Sequence, residues 1–362
     1  MEKYSNGGFR SRRNSMNGFR LVAITQEKIA EKLRHSDFDF LAAISFEERS
    51  TWGAKCLWKS KLLPRRVYLI DYDTVVEPEI EAQELRKGSR SKFEEYFSSQ
   101  ARIDSLGSVN AFAATKLAGL TSRIIQHTDD RPLVIDITCL TRVHLFGLVT
   151  ALAKMDHMVR DLYVCYSTPQ SYGFEKGVML GWQDVLFIPI GKMRLFKREG
   201  HARGLILAGH YGERLSVALQ ELEPALGTLI YTKVRQRPDL LLRAREANSF
   251  ITSRLLTLKM PRTEARTGIG EGWREETILL NDLDSLTSII EREVDAARSD
   301  RGPIVLYPFG PKPMALSAAL TLCNWPDTEA WAVYPVPEKF DAAYSTGVDS
   351  LIIYKVQGGI KA

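Results

Sequence analysis

Two patterns of apolar spacing alternate along this chain. Short continuous apolar runs read as buried strands: Asp39–Ser45, Arg65–Asp73, Leu133–Thr138, Val159–Thr168, Leu229–Val234, Ile304–Tyr307, Glu329–Pro335 and a closing Ser350–Val356. Between them lie stretches with helical spacing. Thr25–Arg34 has Thr25 as N-cap, and Ser45 opens a helix through Trp52 and Leu57. Glu77–Ser99 is charged and predicts an exposed helix interrupted at Lys87–Ser91. In Asn110–Gln126, Phe112, Leu117, Leu120 and Ile124 recur helically, as Leu283, Leu286, Ile289, Ile290 and Val294 do in Asn281–Arg298. Pro238–Leu258 is a basic helical region, Lys259–Trp273 a polar loop, and Gln170–Lys197 an irregular connection ending in an extra strand. Strand and helix in alternation predict an α/β fold with a mostly parallel sheet flanked by helices.

The layout is written twice. Gly302–Leu322 is a strand, a Pro/Gly-rich turn and an Ala-rich helix, and Leu133–Leu152 has the same form, with Arg142 where Lys312 stands 170 residues later. Glu48 and Arg49 match Glu213 and Arg214 at an offset of 165, the second strands match at about 161, and Pro169 matches Pro337 at 168. One period near those values predicts two tandem Rossmann-like units, an internal duplication. The expected boundaries are a disordered basic arm at 1–20, a first unit at 21–198 and a second at 199–362.

In such sheets ligands bind beyond the carboxyl ends of the strands, where helix N-termini present free N–H groups. The turns there supply the candidate ligand-binding residues: Ser45, Glu48, Arg49, Asp136, Thr138, Arg142, His210, Arg214, Gly310 and Lys312. If the units face each other, Arg49, Arg142, Arg214 and Lys312 converge on one cleft and suit an anionic, nucleotide-like ligand. Asp71 and Asp73 close the second strand, where an acid holds a ribose hydroxyl or caps a loop. Asp136 near Thr138 and Thr141, and His210 with Glu213, are the candidate catalytic groups. His144 reads as a core or helix-surface histidine.

Composition narrows the classes. A length of 362 residues with 44% hydrophobic and 26% charged residues fills two ordinary cores. The net charge of +5 resides largely in the arm, where Lys3, Arg10, Arg12, Arg13 and Arg20 face Glu2 alone. The body is near neutral, so nucleic-acid contact is an option for the arm and not a requirement. Cys56, Cys139, Cys165 and Cys323 sit in apolar runs with no ligand spacing, which predicts reduced thiols, no metal and a cytoplasmic chain. No apolar run is long enough to span a bilayer. No Walker loop, G-x-G-x-x-G or G-x-S-x-G is present, so no cofactor is expected.

The segment GPKPMALSAAL, through Gly310, Lys312, Pro313, Met314 and Ala315, resembles the loop-and-helix signature of CRISPR-associated Rossmann-fold (CARF) ligand-sensor domains. Pro311 stands where the family usually has Thr, and the first copy reads Leu140-Thr141-Arg142 without a Gly. The resemblance implies a prokaryotic antiviral-defence sensor of cyclic oligoadenylate, with the binding role carried to Gly310 and Lys312. No appended effector region is legible, so a separate protein effector is the expected partner. Two alternatives stand beside this reading: a nucleotide-acting hydrolase or transferase with its site between the units, and a ligand-free adaptor subunit of a defence complex.

Overall fold

The computed structural model describes residues 18–73, 80–97, 101–127, 131–154, 161–172, 182–191, 200–210, 212–257, 272–338 and 345–358. The first half runs β1 (Arg20–Ile24), α1 (Gln26–Arg34), β2 (Asp39–Ile44), a 3-10 turn (Glu48–Thr51), α2 (Trp52–Lys59), β3 (Arg66–Asp73), α3 (Ile80–Phe97), β4 (Arg102–Asn110), α4 (Ala114–His127), β5 (Leu133–Asp136), α5 (Arg142–Ala153), β6 (Leu162–Thr168), β7 (Ser171–Tyr172) and β8 (Trp182–Pro189). The second runs β9 (Arg203–Leu207), α6 (Gly212–Glu221), β10 (Leu226–Lys233), α7 (Pro238–Ala247), α8 (Ser249–Thr257), β11 (Trp273–Leu279), α9 (Leu283–Asp300), β12 (Ile304–Pro308), α10 (Lys312–Cys323), β13 (Ala330–Pro337), β14 (Ser345–Thr346) and β15 (Ser350–Gln357).

The α/β class holds, and the two large sheets share one strand order. The first is β1-β15-β6-β5-β2-β3-β4 and the second is β8-β13-β12-β9-β10-β11, with five parallel strands and an antiparallel strand beside β6 or β13 in each. Residue 198 does not divide them. The antiparallel strands are exchanged: β8, which follows β6 in the chain, pairs with β13, while β15 pairs with β6. The short strands β7 and β14 also pair with each other across the halves.

Helices α5 and α10 are apolar on every face and are buried almost throughout. A helix without a polar stripe has to be enclosed on all sides. These two pack against each other between the sheets, with α4 against α5 and α9 against α10. One continuous core therefore runs from Leu41 and Ile135 through Leu145 and Leu148 to Leu316 and Leu306. Separate outer cores lie under α1, α2 and α3 on the first sheet and under α6, α7 and α8 on the second.

Several expectations change. The interruption at Lys87–Ser91 does not occur: α3 continues through Gly88, and it is not fully exposed, because Phe93, Tyr96 and Phe97 are buried. Ser45 caps no α-helix. Its Oγ accepts from the Glu47 N–H at 3.3 Å, and the chain enters the 3-10 turn before α2 begins. Residues 1–17 of the expected arm lie outside the described residues, but Phe19 is buried and Arg20 begins β1. Asn324 fixes Phe19 by accepting from its N–H at 2.8 Å and donating to its carbonyl at 2.9 Å. The polar edge strands β4 and β11 were not expected, and most of Lys259–Trp273 lies outside the described residues.

Candidate functional site

In each sheet the chain moves from its first strand toward one edge and returns to add its fourth strand on the other side. The loops after β2 and β5 therefore diverge, as do those after β9 and β12, and each divergence leaves a crevice at the carboxyl ends. The buried α5–α10 pair brings both crevices to one seam.

Arg142 and Lys312 each occupy the first position of their helix, and each crosses the seam. Arg142 donates from Nη2 to the carbonyl oxygens of Gly310 at 2.6 Å and Phe309 at 3.2 Å. Lys312 Nζ donates to the Thr138 carbonyl oxygen. Thr141, as N-cap, accepts the His144 N–H at 3.2 Å, whereas Pro311 in the same place offers no side-chain cap. Close approach also restricts the second crevice. A Cβ at Gly209 would stand 2.1 Å from the Phe309 oxygen, and one at Gly310 would stand 3.2 Å from Leu207 Cβ.

Around Lys312 lies a buried ion pair. Arg49, 3% exposed, donates from Nε to Glu47 Oε2 at 2.8 Å and from Nη1 to the Ser167 carbonyl oxygen at 3.0 Å. Its guanidinium also lies 5.8 Å from the Tyr166 ring centroid. Ser345, arriving from the second half on β14, donates to Glu47 Oε2 at 2.7 Å. Burial pushes the Glu47 carboxyl upward, but Arg49, Lys312 and the Ser345 hydroxyl outweigh it and hold it below the usual carboxylate range. Burial, with Arg49 and Arg142 adding repulsion, brings Lys312 down to about 8, although Cys139 and Glu47 work the other way.

Asp136 ends β5 beneath this group at 1% exposure. Its Oδ1 accepts the Thr138 N–H at 2.9 Å, and Thr138 Oγ1 accepts the Ser167 N–H at 2.9 Å, which ties the β5 loop to β6. Burial raises the Asp136 carboxyl to about 6 despite that hydrogen bond and the nearby cations. Gly53 on α2 leaves the room it needs, since a Cβ there would stand 2.3 Å from Oδ2.

The seam thus unites Arg49, Asp136, Thr138, Arg142, Gly310 and Lys312. The other candidates stand elsewhere. Ser45 is half-buried in its own turn, Glu48 and Glu213 are exposed, and Arg214 is half-buried on the first turn of α6. His210 packs its ring on Tyr172 of β7, with centroids 4.9 Å apart, and burial lowers it to about 4. Of the four cations expected to converge, Arg49, Arg142 and Lys312 meet at the seam, each engaged with an acceptor of the protein itself. His144 is a core residue: wholly buried, it bonds Tyr72 through Nδ1 at 2.7 Å and Thr121 through Nε2 at 2.8 Å. Asp71 is bound by Arg86 and Arg90.

Glu47, Cys139, Tyr166 and Ser345 complete the seam and are absent from the candidates drawn from sequence. Glu47 carried a signal as the acid two residues before Arg49; Ser345 reaches the seam only through the β7–β14 pairing. Among the described residues no group of three His, Cys, Asp or Glu side chains could hold a metal, and no helix is long and apolar enough to cross a membrane.

No family model matches the chain, and no curated protein matches it in sequence. Among solved structures it is similar to a Type III CRISPR defence DNA nuclease activated by cyclic oligoadenylate, with 8% identity and a TM-score of 0.48. That match covers 78% of this chain and 64% of the nuclease chain, so this chain spans less than two thirds of its length. A second similar structure, a functionally unknown protein from Pseudomonas aeruginosa, has 9% identity and a TM-score of 0.23 over 84% of this chain and 95% of that one. At these levels no residue role passes from either protein to this one.

Proposed function

We propose that this chain is a two-lobed sensor that binds an anionic, nucleotide-like ligand at the seam and acts through a separate protein effector. The observation that carries the reading is the reciprocal crossing of Arg142 and Lys312. Both crevices open on one place, and the cation of each lobe is held by the loop backbone of the other. A polyanion that took Lys312 or Arg142 from those carbonyls would release contacts in both lobes, so binding and a change of inter-lobe geometry are one event. The resemblance of Gly310–Ala315 to the CARF signature supports cyclic oligoadenylate as the ligand class and prokaryotic antiviral defence as the setting.

The enzyme reading has weaker support. Its best acid–base group, Asp136, is 1% exposed beneath the Thr138 loop, and His210 faces Tyr172. Calorimetry with cyclic and linear oligoadenylates, on wild type and on Lys312→Ala, tests the proposal, with thermal unfolding as the control for folding. Cyclic ligand is expected to bind wild type and to lose at least tenfold in affinity in the folded variant. Equal binding by both proteins, or binding by neither, removes the assignment.

A further inference from the structure

A pocket of about 440 Å³ opens at the carboxyl ends of β2 and β3, lined by Ile44 and Asp71 and by Arg86, Lys87, Arg90 and Ser91 of α3. It lies on the α3 side of the Glu48–Thr51 turn, whereas Arg49 of that turn reaches the other way toward Ser167. A buried contact of 2.9 Å between Ser50 Oγ and Ser89 Oγ fastens the turn to α3, and the pocket shares no lining residue with the seam.

Three cations and two carboxylates stand here, Asp71 in the lining and Glu84 on the surface beside it, and the cations are held unequally. Arg86, with 20% of its side chain exposed, binds Asp71 and also donates to the Tyr72 carbonyl oxygen at 2.8 Å, so it is committed to the fold. Arg90 reaches Asp71 only at 3.3 Å and is 39% exposed. Lys87 pairs with Glu84 at 2.7 Å on the surface, where an ion pair between exposed side chains contributes little. Arg86 and Arg90, four residues apart, share one helix face and present two planar guanidinium forks toward the pocket.

We propose that this pocket is a second anion site, independent of the seam, and that it takes a phosphate monoester. Asp71 holds the two guanidinium groups together. The entering dianion takes bidentate bonds from Arg90 and draws Lys87 away from its exposed partner Glu84, while Arg86 keeps Asp71. Ile44 adds an apolar side chain to the lining, and the Ser91 hydroxyl donates to the Lys87 carbonyl oxygen at 3.2 Å. A carboxylate fits less well, because it brings two acceptor oxygens to these donors where a phosphate monoester brings three.

Calorimetry on the full chain with inorganic phosphate and with adenosine 5′-monophosphate tests this, using wild type, Arg90→Gln, Lys87→Gln and Lys312→Gln. Both probes are expected to bind wild type, to weaken at least tenfold in Arg90→Gln and severalfold in Lys87→Gln, and to be unchanged in Lys312→Gln. Lys87 is largely solvent-exposed, so that variant leaves α3 folded and keeps the test valid if Arg90→Gln unfolds. Three results overturn the proposal: no binding of either probe at millimolar concentration, binding that both α3 variants retain in full, or a loss confined to Lys312→Gln. The last would move the anion to the seam and leave the proposed function standing.

Discussion

Arg142 and Lys312 begin helices of equal length in the two halves, and each side chain ends on the backbone of the opposite lobe. The consequence is a lock made of two similar parts, in which each cation bridges the mouth of the seam to the backbone of the other lobe. Removing one part leaves carbonyls of the other lobe without their charged donor.

Arg142→Ala strips the Gly310 and Phe309 carbonyls of their donor, and a hydrogen bond to a charged group is worth roughly 1.5–3 kcal/mol. Urea unfolding is expected to show a loss of about 2–3 kcal/mol with the m-value unchanged. A loss below about 0.5 kcal/mol would mean that the crossing contributes nothing to holding the lobes.

Lys312 gives the seam a pH dependence whose direction follows from burial. Its ammonium titrates at about 8 in the folded chain and at 10.5 when free. Between those values the unfolded chain keeps a proton that the folded chain has shed, so this group adds stability as pH rises through the window. Wild type is expected to gain on Lys312→Met between pH 8 and 10.5 in paired thermal melts. Parallel profiles would show that the half-buried Lys312 ammonium is not desolvated in the folded chain.

Asp136 behaves in the opposite sense. It titrates at about 6 when folded, against 3.8 when free, so below 3.8 its contribution is fully present and it is lost as pH rises through 6. Asp136→Asn keeps the acceptor for the Thr138 N–H and removes the buried charge. At pH 7 the variant is expected to be more stable than wild type by about 2–3 kcal/mol, from roughly 1.4 kcal/mol per pH unit. At pH 4 most of that gap should close. A variant less stable than wild type at pH 7 would show that the carboxylate is held ionised by its neighbours.

How much of this was legible follows from what each element needs. Helices α5 and α10 and strands β2, β5, β9 and β12 are enclosed, so their apolar runs announce them. Arg142 and Lys312 could be matched because each follows such a run within a few residues and opens an apolar helix. The edge strands carry no such signal: β4 mixes half-exposed and exposed residues without a regular period, and its pairing with β3 decides its form. The strand exchange was hidden for a different reason. Nothing in SLIIYKV distinguishes β6 from β13 as its partner, because the choice is made by contacts more than 180 residues away. Ser345 reached Glu47 by the same non-local route, across 298 residues.

That exchange makes a last prediction possible, because it separates position in the chain from position in the fold. β15 follows every element of the second half, yet it pairs with β6 on one side and β1 on the other, and its Tyr354 and Val356 are buried in the shared core. Truncation after Asp349 therefore exposes β6 and detaches β1 in the first sheet, while β13 keeps β8. Hydrogen exchange on the truncated chain is expected to show protection lost across residues 20–24 and 162–168 and largely retained across 330–337. The reverse pattern, with β13 deprotected and β6 intact, would mean that the strands are not exchanged and that each half closes its own sheet.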